Sequence, residues 1–264
     1  PEPGPDFVRL KSYQGIGHGA DGIVYFRWRQ ALAGSEQYHS GLLDHAGRKT
    51  LGYAEAMGIG REMKTLAPLL EGTEPAAEVA ILLDYDSRWA ISMQPHNALL
   101  RDGQSDAAVS ESPILRVDRD ERRDSQTMTG RASAMSHFAA PYIALWERNV
   151  TAAIVSPDSD LSGYKVVCAP FLNVVRPAVA DRLAAFVKQG GTLILGPRSG
   201  FKDEYNRIFA QPQPGPLSSL TGATVKFFDS LEPDRLNVLR WDNVPHMHRN
   251  EVGIWAEVLE PEAG

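Results

Sequence analysis

Three runs decide the fold class: Lys165-Val166-Val167-Cys168-Ala169, the stretch from Pro177 to Lys188, and Gly190-Gly191-Thr192-Leu193-Ile194-Leu195. The first and last are short, nearly continuous apolar strands. Between them Pro177 opens a helix whose Val179, Leu183, Phe186 and Val187 recur on one face, and the paired glycines stop it. Strands apolar on both faces and interleaved with helices predict a parallel sheet covered on both sides. Working outward, Val79 to Leu83, Ala152 to Val155 and Ala223 to Phe228 read as further strands of that sheet. Phe138, Tyr142, Leu145 and Trp146 mark another helix, with Pro141 expected near its first turn.

Upstream of Glu71-Gly72-Thr73-Glu74-Pro75 the pattern differs, which sets a boundary between 1–72 and 73–264. Asp6 is the expected cap of a helix through Phe7, Leu10, Tyr13 and Ile16, and Gly15, Gly17, Gly19 and Gly22 end it. Ile23 to Phe26 reads as a strand and Arg27 to Gly47 as a polar loop. A second helix is expected from Thr50 to Leu69, with Tyr53, Met57, Met63 and Leu66 inward. A loop of that length inside a compact domain is usually functional or disordered. Arg101 to Ser136, centred on the charged run Asp118 to Asp124, reads as a polar insertion. No internal repeat is evident.

Composition narrows the function classes. The 264 residues carry a net charge of −6, so no basic field invites nucleic acid. No apolar run approaches the ~20 residues that cross a bilayer. The lone cysteine, Cys168, excludes an intrachain disulfide and suits a reducing, cytoplasmic setting. Its apolar neighbours predict a buried thiol rather than the nucleophile of an amidotransferase-like enzyme. Gly17-His18-Gly19-Ala20-Asp21-Gly22 matches G-x-G-x-x-G, but the order is helix, glycines, strand; phosphate binding needs strand, glycines, helix. A helix-to-strand turn is the expectation. His246-Met247-His248 offers two imidazoles without a further ligand in view, and Asn149-Val150-Thr151 is a glycosylation-type sequon. Neither a metal nor a cofactor is expected.

The richest chemistry lies in Phe26-Arg27-Trp28-Arg29 and Gly34-Ser35-Glu36-Gln37-Tyr38-His39-Ser40-Gly41. A carboxylate, an imidazole, aromatic faces and guanidinium groups suit a sugar: polar groups bond paired hydroxyls while a ring covers the apolar face. The same residues also fit a salt-bridged loop with Arg27 and Arg29 as structural partners. Polar residues after a strand and before a helix are likewise what one β/α unit of a TIM barrel presents.

These residues, with Tyr13-Gln14 and His18 to Gly22, resemble the glycoside hydrolase family 42 β-galactosidases. Glu78 to Leu82, Asp160 to Val167, Gly190 to Leu193 and Arg198-Ser199-Gly200 are similar to that family's trimerisation domain. The resemblance implies an α/β chain: the last β/α portion of a TIM barrel, then a flavodoxin-like parallel-sheet domain of the class I glutamine amidotransferase type. It implies a homotrimeric, retaining hydrolase of terminal β-D-galactosides with an acid/base and a nucleophilic glutamate. In the family both precede the segment matching Pro1, so no catalytic residue is expected in this chain and both ends are expected to be cuts in a longer protein. Glu36 and His39 match positions that bond the galactose hydroxyls, and Phe26 an aromatic at the pocket edge. A stand-alone assembly module without catalysis is the alternative.

Overall fold

The computed structural model describes residues 4–97, 134–231, 237–239, 250–252 and 254–262. They form two compact units, 1–76 and 77–264. The charged run Asp118 to Asp124 and the His246-Met247-His248 triplet lie outside the described residues.

In the first unit two helices pack together, α1 (Phe7–Gly17) and α2 (Leu51–Leu70). Thr50 caps α2, its hydroxyl accepting from Tyr53 N at 3.3 Å. Asp6 does not cap α1. Its backbone is left-handed (φ 64°), whereas a capping side chain needs an extended backbone to reach the first-turn amides. Glu55 of α2 supplies the acceptor instead, taking the N–H groups of Asp6, Val8 and Arg9 at 2.7, 3.1 and 3.2 Å.

The inward faces also differ from the periodic reading. On α1 Ser12 is buried, hydrogen-bonded to Val8 O and to the Tyr25 hydroxyl, while Phe7 and Leu10 are exposed. Tyr13 donates its hydroxyl to Glu62, which also pairs with Arg9 at 2.6 Å. On α2 the most buried residue is Ile59, and Met57 is exposed. Residues 22–25 have no strand pairing, which corrects the strand expected at Ile23 to Phe26. A strand needs hydrogen-bonded neighbours, and the described residues of this unit offer none to that segment.

The second unit is built on a four-stranded parallel sheet: β1 (Val79–Leu82), β2 (Ala152–Val155), β3 (Val166–Ala169) and β4 (Thr192–Leu195), in the order β2-β1-β3-β4. Registers pair Ile81 with Ile154 and with Cys168, and Cys168 with Ile194. Successive residues of β1 therefore serve opposite faces. Ala80 and Leu82 join the larger core, with Val179, Leu183 and Phe186 of the helix Pro177–Lys188. Val79, Ile81 and Cys168 face Tyr142 and Leu145 of the helix Ala134–Trp146. No helix links β2 to β3; from this loop Leu161, 3% exposed, joins the larger core and the partly buried Tyr164 packs against it.

We number the helices of this unit α3 (Tyr85–Met93), α4 (Ala134–Trp146), α5 (Pro177–Lys188) and α6 (Ser218–Thr221). α3 is an element that the apolar pattern does not predict. Asp84 caps it by accepting from Ser87 N at 2.9 Å. α4 begins at Ala134, well before Pro141, so residues 134–136 are helical rather than part of the polar insertion, and the proline costs the interior one backbone bond. Asn149, left-handed at φ 55°, follows the end of this helix, where its amide bonds Trp146 O; it marks a helix terminus.

β5 (Ala223–Ser230) is not a fifth parallel strand. It pairs antiparallel with β8 (Trp255–Pro261), apart from the main sheet. β6 (Asn237–Leu239) and β7 (Asn250–Val252) form a second antiparallel pair. Phe228 stacks on Trp255 at 4.8 Å and Phe201 meets both edge-on. The Asn97 amide ties this layer together, donating to Leu231 O and Ile254 O at 2.7 and 3.1 Å.

Candidate functional site

The polar loop of the first unit folds by returning alongside its own start. Arg27 O accepts from Leu42 N at 2.8 Å, Trp28 O from Leu43 N at 2.7 Å, and Gln30 donates to Leu43 O at 3.0 Å. Gly41 permits this approach: a Cβ there would lie 2.9 Å from Gln30 N and 3.0 Å from Leu43 O. The Thr50 hydroxyl spans the other end, bonding Gly41 O and Leu42 O while capping α2. One threonine thus fixes both the loop exit and the helix start.

Within that frame Arg27 Nη1 lies 3.3 Å from Glu36 Oε2, and the same guanidinium is 5.8 Å from the centre of the Phe26 ring. His39 follows one turn later, its amide donating to Glu36 O at 3.0 Å. The structure therefore groups Phe26, Arg27 and Glu36, with His39 joined to them through the backbone. Phe26 is 72% exposed and the Glu36 carboxylate about half exposed, so ring and carboxylate are both accessible. Arg29 is engaged elsewhere, donating to His45 O at 2.6 Å, and His45 in turn bonds Gln37 O. Of the two arginines, one faces the carboxylate and the other ties down the loop. An accessible aromatic ring beside a held carboxylate and an exposed imidazole can bind a polyhydroxylated ring. Thr50 and Gly41 were not singled out from sequence. A threonine immediately before an apolar helical pattern was the available signal for the first.

The other candidates resolve differently. Residues 17–22 lie at the end of α1 and before an extended segment, with Gly19 at φ 90° and no helix following. That is a turn without the helix N-terminus a phosphate requires. Cys168 sits inside β3, 8% exposed, and burial pushes its thiol up from the ordinary range. A strand-embedded, protonated thiol is the opposite of an activated nucleophile.

The chain joins a helical unit, with its exposed aromatic and polar loop, to a parallel-sheet unit, and each matches a family of glycoside hydrolases. Residues 77–264 match the β-galactosidase trimerisation domain family and residues 1–66 the β-galactosidase family. The chain is 36% identical over its whole length to a β-galactosidase of Halorubrum lacusprofundi and 35% identical to one of Haloferax lucentense, covering 34% of each. The solved β-galactosidase structure from H. lacusprofundi superposes with a TM-score of 0.74 at 35% identity, over 100% of this chain and 34% of that one. The structure from Bacillus circulans sp. alkalophilus gives 0.77 at 27% identity, over 98% and 34%. The chain belongs to glycoside hydrolase family 42, the β-galactosidases. It spans about a third of the length of the relatives it matches.

Proposed function

We propose that this chain is the galactose-binding and subunit-assembling segment of a retaining, cytoplasmic β-galactosidase acting on terminal β-D-galactosides. Residues 1–72 form the C-terminal part of its TIM barrel, contributing helices α1 and α2, and residues 73–264 its flavodoxin-like trimerisation domain. The sheet order β2-β1-β3-β4 supports the second assignment, since flavodoxin-like sheets run 2-1-3-4-5. Glu36 and His39 bond the galactose hydroxyls and Phe26 borders the ring.

Catalysis by retention needs two carboxyl groups about 5–5.5 Å apart. The charged neighbour of Glu36 is Arg27, which favours a binding carboxylate over a nucleophile. The placement of both catalytic glutamates outside these 264 residues is carried over from the family resemblance and is part of the proposal. The observation that carries the reading is the Phe26–Arg27–Glu36 group in a segment that matches the β-galactosidase family.

Two assays test it. The isolated chain should release no chromophore from a nitrophenyl galactoside; turnover would overturn the placement of the glutamates. In the full-length enzyme, Glu36→Gln and His39→Ala should each lower kcat/KM about tenfold or more, the scale of a lost charged hydrogen bond, with the fold intact. Unchanged kinetics would reject the site.

A further inference from the structure

We propose that Arg27 is the positioning residue of the sugar site, holding the Glu36 carboxylate so that one oxygen is occupied and the other is presented to a galactose hydroxyl. The inference rests on the binding role proposed for Glu36.

Three observations carry it. First, the Arg27 backbone is fixed: its carbonyl accepts from Leu42 N at 2.8 Å, and Gly41 packs so closely that a Cβ would stand 3.2 Å from that oxygen. Second, from this fixed point the side chain reaches nine residues along the sequence to a single carboxylate oxygen, Oε2 of Glu36, at 3.3 Å. Third, the guanidinium stays 5.8 Å from the centre of the Phe26 ring. One planar cation therefore sets the relation between the two groups that would touch opposite aspects of the sugar.

Stability does not explain the pair. Both side chains are more than a third exposed, and exposed ion pairs contribute about 0–1 kcal/mol because water competes and two flexible chains must be ordered. Holding the loop is already the work of Arg29, through His45 O, and of Thr50. What the Arg27 contact adds is orientation. A carboxylate on a freely rotating stem loses rotamer freedom when it binds a hydroxyl, and that cost falls when an arginine has already fixed it.

A double-mutant cycle in the full-length enzyme tests this, with kcat and KM for a nitrophenyl galactoside and inhibition by free galactose as readouts. Arg27→Gln in the wild-type background should raise KM and the galactose inhibition constant together, by about fivefold to tenfold. In the Glu36→Gln background the same change should have less than about a twofold effect, because no carboxylate remains to be held. Arg27→Lys, which keeps the charge but not the planar fork, should recover part of the affinity. Equal losses in both backgrounds would show that Arg27 acts on the loop as a whole and would overturn the proposal. So would normal galactose affinity in Arg27→Gln beside a weakened Glu36→Gln. If Glu36→Gln itself binds galactose normally, the sugar-site reading fails first and this inference with it. Should Arg27→Gln not fold, Arg27→Lys decides: a loss of galactose affinity that disappears in the Glu36→Gln background supports the positioning role, and additive losses or no loss overturn it.

Discussion

At the start of α1 three backbone N–H groups converge on one carboxylate, that of Glu55, which approaches from 46 to 49 positions away in sequence. Unpaired first-turn amides carry the positive end of the helix dipole, so an anion there satisfies both hydrogen bonding and charge. Glu55→Ala should therefore destabilise the first unit by about 1 kcal/mol, as a lost cap does. Urea unfolding followed by helix signal would show it, and an unmoved midpoint would deny Glu55 this role. The same residue explains a limit of sequence reading. Asp6 has the right chemical type in the right place, and nothing local reveals that its backbone is left-handed. The true partner lies on another helix. Cys168 was legible because its immediate neighbours are all apolar. For Glu36, His39 and Phe26 the residue types alone left a sugar site and a salt-bridged loop equally open, and the binding role remains a proposal. Which arginine would face Glu36 was not legible, since Arg27 and Arg29 differ only in how the returning loop presents them.

Among the elements, two hairpins repeat one design that no motif in the sequence had disclosed. In the first, Asp44 accepts from Arg48 N and Arg48 Nε at 2.8 and 2.7 Å, and Gly47 takes a positive φ of 80°. In the second, Asp203 accepts from Arg207 N and Arg207 Nε at 2.9 and 2.8 Å, with Asn206 at φ 61°. Each hairpin returns against an earlier segment, Leu43 beside Arg29 and Lys202 beside Val174. The shared signature is an aspartate, a residue tolerant of positive φ three positions on, and an arginine at the fourth. Such a five-residue echo is too short to stand out as a repeat. Asp203→Ala should lower the thermal midpoint by several degrees, the loss of three bonds to one carboxylate being offset partly by water. An unchanged midpoint would show that the turn closes without it. The parallel strands were legible because each is a continuous apolar run. β5 was misplaced for the same reason: an apolar run does not say whether its partner is β1 to β4 or β8. α3 was missed because its nine residues carry Tyr85 and Trp89 on the exposed side, which blurs the helical period.

For the molecule as a whole, the proposed assembly follows from the second unit. Its sheet has two edge strands, and Ile154 and Ile194 on them are 58% and 52% exposed, flanking a row whose central members, Ile81 and Cys168, are buried. Two exposed residues separated by buried ones are not a contiguous patch, so the proposed trimer rests on the match of residues 77–264 to the β-galactosidase trimerisation domain family. Light scattering should give a particle of three times the 29.0 kDa chain mass; a monomer at micromolar concentration would remove the trimer from the proposal. The sequence pattern changes near residue 72, and the structure divides into its two units after residue 76. The β5–β8 layer was not legible, because its two strands lie far apart in sequence and only their pairing reveals them.

That separation bears on how the chain matures during synthesis. Arg198 is 2% exposed, with its side chain against the Trp255 ring and its amide bonded to Glu257 at 2.7 Å, 59 positions later. At about 5–20 residues per second, translation takes several seconds to cover that interval, whereas a hairpin closes in about 1–10 μs. The four parallel strands are thus all made while Arg198 still lacks both its aromatic platform and its carboxylate. Until Trp255 and Glu257 arrive, the nascent domain holds this guanidinium through Pro95 O and Gln94 O, at 2.8 and 3.2 Å, with water in place of the ring that later covers it. Arrival of β8 then completes the surroundings of Arg198, so a ribosome stalled before residue 255 would hold the four parallel strands without that contact.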